Sequence, residues 1–220
     1  MKAAWLQRRG RPRALIFFAG WGMDEAPFRR LAADRWDVMV YYDFRRMDQV
    51  PCLAEVEAYP ELALAAWSLG CAAANRLAQE RRWTLSRALA INGTIVPEDD
   101  QAGIPARWIT ATMERLTEGG WEKFVRRMCS DARSHTAFRA APSGRDLHGA
   151  VEELKALRHL PPPAACVFGA AVVSKLDRVI LPENQRRCWE RYGVPIHPID
   201  GPHYLFHLWT SWEEVLACNG

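Results

Sequence analysis

The chain alternates short apolar runs with longer stretches of mixed polarity. Six runs have the length of a buried strand and are bounded by polar or turn-forming residues; they cover residues 14–18, 38–42, 62–67, 88–91, 165–168 and 194–197, the last being the weakest. Strands that are apolar on both faces are typical of parallel sheets covered by helices on two sides. The pattern therefore predicts an α/β protein with a mostly parallel sheet.

Helical composition fills much of the remaining chain. Residues 71–82 follow the third run as an alanine-rich stretch that ends in Gln, Glu and Arg, which predicts a helix. Residues 99–160 are polar and arginine-rich without a convincing strand, and residues 161–163 are prolines, which cannot continue a helix. We interpret residues 99–160, called the lid segment below, as a helical lid inserted into a sheet domain formed by residues 1–98 and 161–220.

Composition narrows the possible function classes. The chain of 220 residues, with 49% hydrophobic and 25% charged side chains, is typical of one globular domain. The net charge of +3 does not indicate nucleic-acid binding, and no run approaches the ~20 apolar residues of a membrane helix. The basic start precedes an apolar run too short for a secretion signal and without a cleavage site, so we expect a cytoplasmic protein.

Neither a metal nor a cofactor is expected. The six cysteines are scattered without a CxxC pair, which is typical of reduced thiols, and no Cys/His spacing indicates zinc. Gly20-Trp21-Gly22 is not a dinucleotide fingerprint, because Glu25 stands where the third glycine would be required.

The pattern around Ser68 is the most informative motif. Residues 66–70, Ala-Trp-Ser-Leu-Gly, follow an apolar strand and precede a predicted helix, which is the context of a nucleophile elbow, a tight turn that exposes a serine above the sheet. The flanking positions have to be small, and Ala66 in place of the usual glycine adds one methyl group. We expect Ser68 to be a nucleophile; the alternative is a serine that only caps the helix.

Two backbone N–H groups are candidates for an oxyanion hole. The Leu69 N–H comes at the start of the helix after Ser68, where the helix dipole favours an anion. The Trp21 N–H lies in the glycine-rich turn after the first strand, and in hydrolases of this type that loop supplies the second donor. A turn in which Trp21 only fills the core is the alternative.

An acid and then a histidine should follow the nucleophile along the chain. Among six histidines, His203 lies in a turn just after the last predicted strand, where the base belongs, and His207 is the second choice. Asp177 lies 26 residues before His203 and would orient its imidazole and stabilise the charged form. Glu183 is the alternative acid.

Together these motifs resemble the BioG-type pimeloyl-ACP methyl ester esterases of the α/β-hydrolase superfamily over nearly the whole chain. The matching segments are Phe17–Gly22, Ala66–Gly70, Ala90–Thr94, Gly103–Pro105, Asp177–Gln185 and Gly201–Tyr204. The resemblance implies an α/β-hydrolase fold and hydrolysis of the methyl ester of pimeloyl-acyl carrier protein, with release of methanol, in biotin precursor synthesis. It also implies an acyl carrier protein as partner.

The resemblance gives the basic residues of the lid segment a meaning. Acyl carrier proteins are strongly acidic, so a basic face would steer and hold one. The candidates are Arg107, Arg115, Lys123, Arg126, Arg127, Arg133, Arg139, Arg145, Lys155 and Arg158. We expect Arg126, Arg127 and Arg133, the densest cluster, to contact the carrier; a solvated helix face diluted by acidic residues is the alternative.

Several aromatic residues are candidates for an acyl channel. They are Trp67, Trp108, Trp121, Phe124 and Phe138, and we expect one or two of them to line it while the others pack in the core. Two other functions stay open. One is a broad hydrolase of small esters or thioesters without carrier recognition, and the other is a catalytically inactive hydrolase fold that serves as a binding module.

Overall fold

A seven-stranded sheet forms the centre of the molecule. The computed structural model describes residues 1–218 and orders the strands β1-β3-β2-β4-β5-β6-β7. The strands are β1 (Lys2–Gln7), β2 (Arg13–Phe18), β3 (Asp37–Tyr42), β4 (Glu61–Trp67), β5 (Arg87–Ile91), β6 (Ala170–Ser174) and β7 (Ile196–Ile199). Every neighbouring pair is parallel except β1 with β3. The predicted mostly parallel α/β sheet is confirmed.

Helices cover both faces of this sheet, as the apolar strands require. The helices are α1 (Leu53–Glu57), α2 (Gly70–Arg81), α3 (Ala106–Arg115), α4 (Glu118–Met128), α5 (Ala132–Ala140), α6 (Leu147–Arg158), α7 (Pro182–Arg191) and α8 (Trp212–Ala217). In β2 every residue after Arg13 is buried, because β3 and β4 flank this strand in the sheet and other elements pack above and below it. The helix predicted over residues 71–82 is confirmed as α2.

The strand prediction was wrong for residues 165–168. The Asn75 side chain on α2 forms hydrogen bonds with the backbone groups of this stretch. Its Nδ2 donates to the Ala165 carbonyl at 3.0 Å, and its Oδ1 accepts from the Val167 N–H at 2.9 Å. Pairing with β5 begins only at Gly169, whose N–H donates to the Ala88 carbonyl, so the strand starts at Ala170. A side chain from a distant helix, which the apolar pattern does not report, has replaced the sheet partner.

Two further strands differ from the prediction. The last strand lies two residues later than predicted, at Ile196–Ile199, because the Val194 N–H closes the end of α7 on the Trp189 carbonyl. The sequence did not predict β1, an edge strand that pairs only with β3. Its residues are mostly half-buried, so β1 lacks the continuous apolar run by which the central strands were recognised.

The lid segment contributes four helices, α3 to α6, and no strand of the sheet within the described residues. Three of these helices begin where a side chain caps the first turn: Thr117, Asp131 and Asp146 accept the N–H of Gly120, Ser134 and Gly149 respectively. Residues 219 and 220, at the end of the predicted sheet domain, lie outside the described residues. No helix in residues 1–218 is long and apolar enough to cross a membrane.

The first turn of α2 approaches β2 very closely. A Cβ atom on Gly70 would lie 2.2 Å from the Ala19 carbonyl oxygen and 2.7 Å from that of Phe18, so no side chain fits without backbone movement. On Gly119, in the first turn of α4, the nearest atom would be 3.9 Å away.

We therefore predict that Gly70→Ala lowers the free energy of unfolding by about 2–3 kcal/mol because the backbone is forced apart. Gly119→Ala is the matched control and should leave stability unchanged or raise it by up to ~1 kcal/mol, since alanine favours a helix. Urea denaturation measures both. Equal effects of the two substitutions would contradict the close contact at Gly70.

Candidate active site

Ser68 lies in a strained turn between β4 and α2. Its φ of 58° is in the left-handed region, which costs a residue with a side chain about 1–2 kcal/mol. Two hydrogen bonds hold this conformation: the Ser68 N–H donates to the Ile91 carbonyl at 3.0 Å, and the Ser68 carbonyl accepts from the Cys71 N–H at 3.1 Å. The turn places the hydroxyl at the carboxyl edge of the sheet, the edge where α/β proteins build their sites.

His203 reaches Ser68 from the loop after β7. Its Nε2 lies 2.9 Å from Ser68 Oγ, and the histidine is 1% exposed. Two side chains at the ends of strands hold the backbone of this loop. Asn92 Nδ2, just after β5, and Trp67 Nε1, at the end of β4, donate to the His203 carbonyl at 2.9 and 3.0 Å. The position of the imidazole is therefore set by residues at the ends of β4 and β5.

Asp177 completes the hydrogen-bonded chain. Its Oδ2 lies 2.7 Å from His203 Nδ1 and also accepts from Gln185 Nε2 at 2.8 Å. Its Oδ1 accepts from the backbone N–H groups of Val179 and Ile180 at 2.7 and 3.0 Å. The carboxylate is buried, and these donors fix its orientation. Oδ2 is thereby held within hydrogen-bonding distance of the imidazole.

The structure separates the alternative residues from this chain. Glu183 lies on the exposed side of α7, where it pairs with Arg186 and Arg187. His207 Nδ1 lies 3.1 Å from the carbonyl of Tyr204, and burial lowers the pKa of His207. The structure thus brings Asp177 and His203 to Ser68 and places the second choices elsewhere.

Asn92 and Gln185 hold the site together, and the sequence assigned neither a role. Asn92 lies directly after β5; its amide nitrogen also contacts Ser174 Oγ and the Pro202 carbonyl, and its Oδ1 accepts the Ser174 N–H at 2.7 Å. Gln185 is in the first turn of α7. The position of Asn92 at the end of a strand was the only sequence signal for such a role. Its partners could not be predicted, because they lie 82 to 111 residues away in the chain.

Trp21 and Leu69 line a small cavity beside Ser68. Both residues and Ser68 line a space of about 30 Å³, together with Ile104, Trp108, Ile109, Thr112, Phe124, Arg127, Leu154 and Val179. Neither the Trp21 nor the Leu69 N–H donates to another group in residues 1–218. The arrangement leaves two backbone donors available to an oxygen atom bound near Ser68.

Of the candidate channel aromatics, Trp108 and Phe124 line this cavity. Trp121 packs against Trp21 and Phe124 beside it. Trp67 and Phe138 are core residues, each 1% exposed, and pack against His203 and Tyr204 respectively.

The basic residues of the lid segment fall into two groups. Four of them pair with carboxylates: Arg139 with Glu122, Lys155 with Glu152, Arg158 with Glu98, and Arg145 with both Asp43 and Glu153. Arg145 does not belong to the predicted basic face, because it is buried between its two partners.

Arg126, Arg127 and Arg133 are exposed and have no carboxylate partner within residues 1–218. Arg127 also lines the cavity at Ser68, and this partial burial lowers its pKa while the charge of Asp177 raises it; its guanidinium lies 5.7 Å from the ring of Phe124. These cations are available to an anionic ligand.

We predict that Asn92→Ala lowers the free energy of unfolding by about 3 kcal/mol, since it leaves buried carbonyls without a donor. It should also loosen the His203 loop, so that the downfield NMR signal of an imidazole Nδ1 proton shared with Asp177 is lost. Asn75→Ala, which removes a buried amide that bonds residues 165 and 167 and not the His203 loop, should destabilise the fold yet keep this signal. Loss of the signal in both variants would show that Asn92 has no special link to His203.

Comparison with known proteins identifies the family. The chain matches the family model described as pimeloyl-ACP methyl esterase BioG over residues 1–215. A curated relative from Bacteroides fragilis (strain 638R), named malonyl-[acyl-carrier protein] O-methyltransferase, is 36% identical over 197 residues, which are 88% of this chain and 40% of the relative. This chain therefore spans well under half the length of that relative.

Solved structures agree with this assignment. The crystal structure of BioG from Haemophilus influenzae is similar with a TM-score of 0.86 and 30% identity, covering 98% of this chain and 100% of that one. The esterase EaEST from Exiguobacterium antarcticum, at 14% identity and a TM-score of 0.73 over 93% of this chain and 88% of its own, shares the fold. The chain belongs to the BioG family of pimeloyl-ACP methyl esterases and has the α/β-hydrolase fold.

Proposed function

We propose that the chain is a serine carboxylesterase that hydrolyses the methyl ester of pimeloyl-acyl carrier protein and releases methanol, as a step in biotin precursor synthesis. The observation that carries the proposal is the buried chain of hydrogen bonds from Ser68 through His203 to Asp177. Membership of the BioG family supports the substrate, and so does the relative named for methylating a malonyl group on a carrier protein.

The first half of the reaction forms an acyl-enzyme. Ser68 Oγ attacks the ester carbonyl while His203 Nε2 takes its proton, and Asp177 stabilises the imidazolium through Nδ1 without itself taking that proton. The N–H groups of Trp21 and Leu69 donate to the oxyanion of the tetrahedral intermediate. The bond to the methoxy group then breaks, and His203 returns its proton to the leaving group, which departs as methanol.

The second half restores the enzyme. Water attacks the acyl carbonyl and gives its proton to His203, and the bond to Ser68 breaks as the serine recovers a proton from the imidazole. One ester and one water yield the carboxylic acid and methanol. Since the same machinery would also attack a thioester, the specificity for one end of the substrate has to come from the path by which the substrate enters.

The lid segment supplies that path in this proposal. The cavity beside Ser68, at about 30 Å³, is far smaller than the several hundred Å³ of a typical ligand pocket. An outer cleft of about 340 Å³ lies next to this cavity, and Arg115 and Lys123 line it. The side chains that line both spaces, and so stand between them, are Trp108, Thr112, Phe124 and Arg127. A movement of α3 away from α4 would join the two spaces into one channel.

Three arginines of α4 and α5 fit an acidic carrier protein. Arg126 and Arg127 lie in the last turn of α4 and Arg133 in the first turn of α5, without carboxylate partners in the described part of the chain. We propose that these arginines hold the carrier while the pimeloyl chain reaches Ser68 between α3 and α4.

We predict that Ser68→Ala lowers kcat for a short methyl ester by roughly 10⁴-fold or more, because the nucleophile is lost. Asp177→Asn should lower it by roughly 10⁴-fold, because the imidazole is held in the wrong tautomer. Glu183→Gln, the matched control for the alternative acid, should keep wild-type kcat. Methanol release measures all three, and full turnover by Ser68→Ala would refute the serine mechanism.

A second prediction concerns the carrier. Reversing Arg126 and Arg133, which do not line the cavity at Ser68, to Glu should raise KM for the carrier-bound ester about tenfold, or ~1.4 kcal/mol, by repelling the acidic protein. KM for free dimethyl pimelate should not change. Reversing Arg186 and Arg187 on α7 makes the same change of charge on another surface and serves as the control. An unchanged KM for the carrier-bound ester would leave a small-ester hydrolase without carrier recognition as the better description.

A further inference from the structure

Glu153 is a fully buried carboxylate that the proposed mechanism does not use. It belongs to α6, and its side chain is 0% exposed. Oε2 accepts the N–H of Gly22 at 3.1 Å, and Oε1 accepts the N–H of Phe44 at 2.9 Å. One side chain of the lid segment thus links the loop after β2 to the loop after β3, at the carboxyl edge of the sheet that carries Ser68.

This carboxylate is held at a considerable electrostatic cost. Burial raises the pKa of Glu153, while the Arg145 guanidinium and the two backbone N–H groups lower it. The Arg145 side chain is itself 5% exposed, with Nη1 3.4 Å from Glu153 and Nη2 3.3 Å from Asp43. Buried ion pairs seldom stabilise a fold more than apolar residues of the same volume would. Stability therefore does not explain why Glu153 and Arg145 are buried here, and the positions that they impose on the backbone are the better guide to their role.

The backbone on which this network acts is the turn that carries Trp21. The Gly22 N–H is held by Glu153, and the Gly22 carbonyl accepts from Ser143 Oγ at 2.9 Å. The Trp21 indole N–H donates to the Ala150 carbonyl on α6. Arg145 Nη1 donates to the Met23 carbonyl at 3.3 Å. Residues 143–153 therefore fix residues 21–23 at four points and leave the Trp21 backbone N–H without an acceptor.

We propose that Glu153 is a positioning residue for ester hydrolysis, which holds the turn at residues 21–23 so that the Trp21 N–H faces the oxygen bound at Ser68. The inference rests on the proposed function, since it requires Trp21 to act as an oxyanion donor. The inference also divides the lid segment into two parts. Residues 143–158, which include α6, belong to the fixed framework, and opening is confined to α3 and α4.

The test compares Glu153→Gln with wild type on a short soluble methyl ester. An amide offers only one acceptor for the two N–H groups and no charge for Arg145, so the turn loses its fixed position. We expect kcat to fall about 10²–10³-fold, the effect of losing an oxyanion donor, with KM nearly unchanged because the donor acts in the transition state. Affinity for a trifluoromethyl ketone, which forms a tetrahedral adduct on the serine, should fall in parallel with kcat.

Asp37→Asn is the matched control. Asp37 is likewise 0% exposed and accepts three backbone N–H groups, from residues 9–11, but it lies at the opposite end of β3 from the site. It should lose stability and keep wild-type kcat in its folded fraction. Should Glu153→Gln not fold, Ser143→Ala removes the bond to the Gly22 carbonyl and the longer bond that Ser143 Oγ accepts from the Arg145 N–H, and should lower kcat about tenfold.

The outcomes separate the two proposals. Wild-type kcat and ketone affinity in Glu153→Gln would overturn the positioning role while leaving the esterase intact, and so would a loss confined to KM. A kcat that falls equally in Asp37→Asn would mean that Glu153 acts only through stability. Absence of esterase activity in the wild type itself would refute the proposed function and, with it, this inference.

Discussion

The left-handed conformation of Ser68 is the constraint on which the rest of the site depends. A residue with a side chain adopts it only where the surrounding structure outweighs its cost. Here that structure is the parallel packing of β2, β4 and β5: β5 supplies the acceptor for the Ser68 N–H, and α2 lies so close to β2 that only Gly70 fits. The position of the hydroxyl at the carboxyl edge of the sheet is thus a property of the sheet and helix together.

Around this turn, buried polar side chains fix loops that come from separate parts of the chain. Asn92 and Trp67 hold the carbonyl of His203, Gln185 orients the carboxylate of Asp177, and Glu153 holds the turn after β2. Loops have no repeating backbone hydrogen bonds of their own, so side chains have to satisfy their polar groups. In this protein the same bonds also set the distances between the reacting groups, which joins stability to catalysis in the mechanism proposed above.

The contrast within the lid segment follows from the same bonds. The α6 helix is tied to the sheet domain through Glu153 and Ala150, whereas α3 buries only Ile109 among its residues and covers the cavity at Ser68 with few polar ties. A helix that buries few side chains opens at a lower free energy than one that buries many, and α6 buries five residues where α3 buries one. The small cavity at Ser68 and the larger cleft beside it fit a lid segment in which α6 is fixed and α3 moves.

The sequence by itself determined the central strands, the elbow and the order of serine, acid and histidine along the chain. These features are local: burial on both faces leaves a continuous apolar run, and a tight turn demands small residues on either side of Ser68. It could not determine the edge strand β1, the start of β6, the burial of Arg145, or the choice of Asp177 over Glu183 as the residue beside His203. Each of these depends on partners that only the fold brings together, as Asn75 does for residues 165–167 and Glu153 for residues 22 and 44. Hydrogen bonds and ion pairs between distant segments leave no periodicity in either segment, and for that reason the tertiary structure alone decided them.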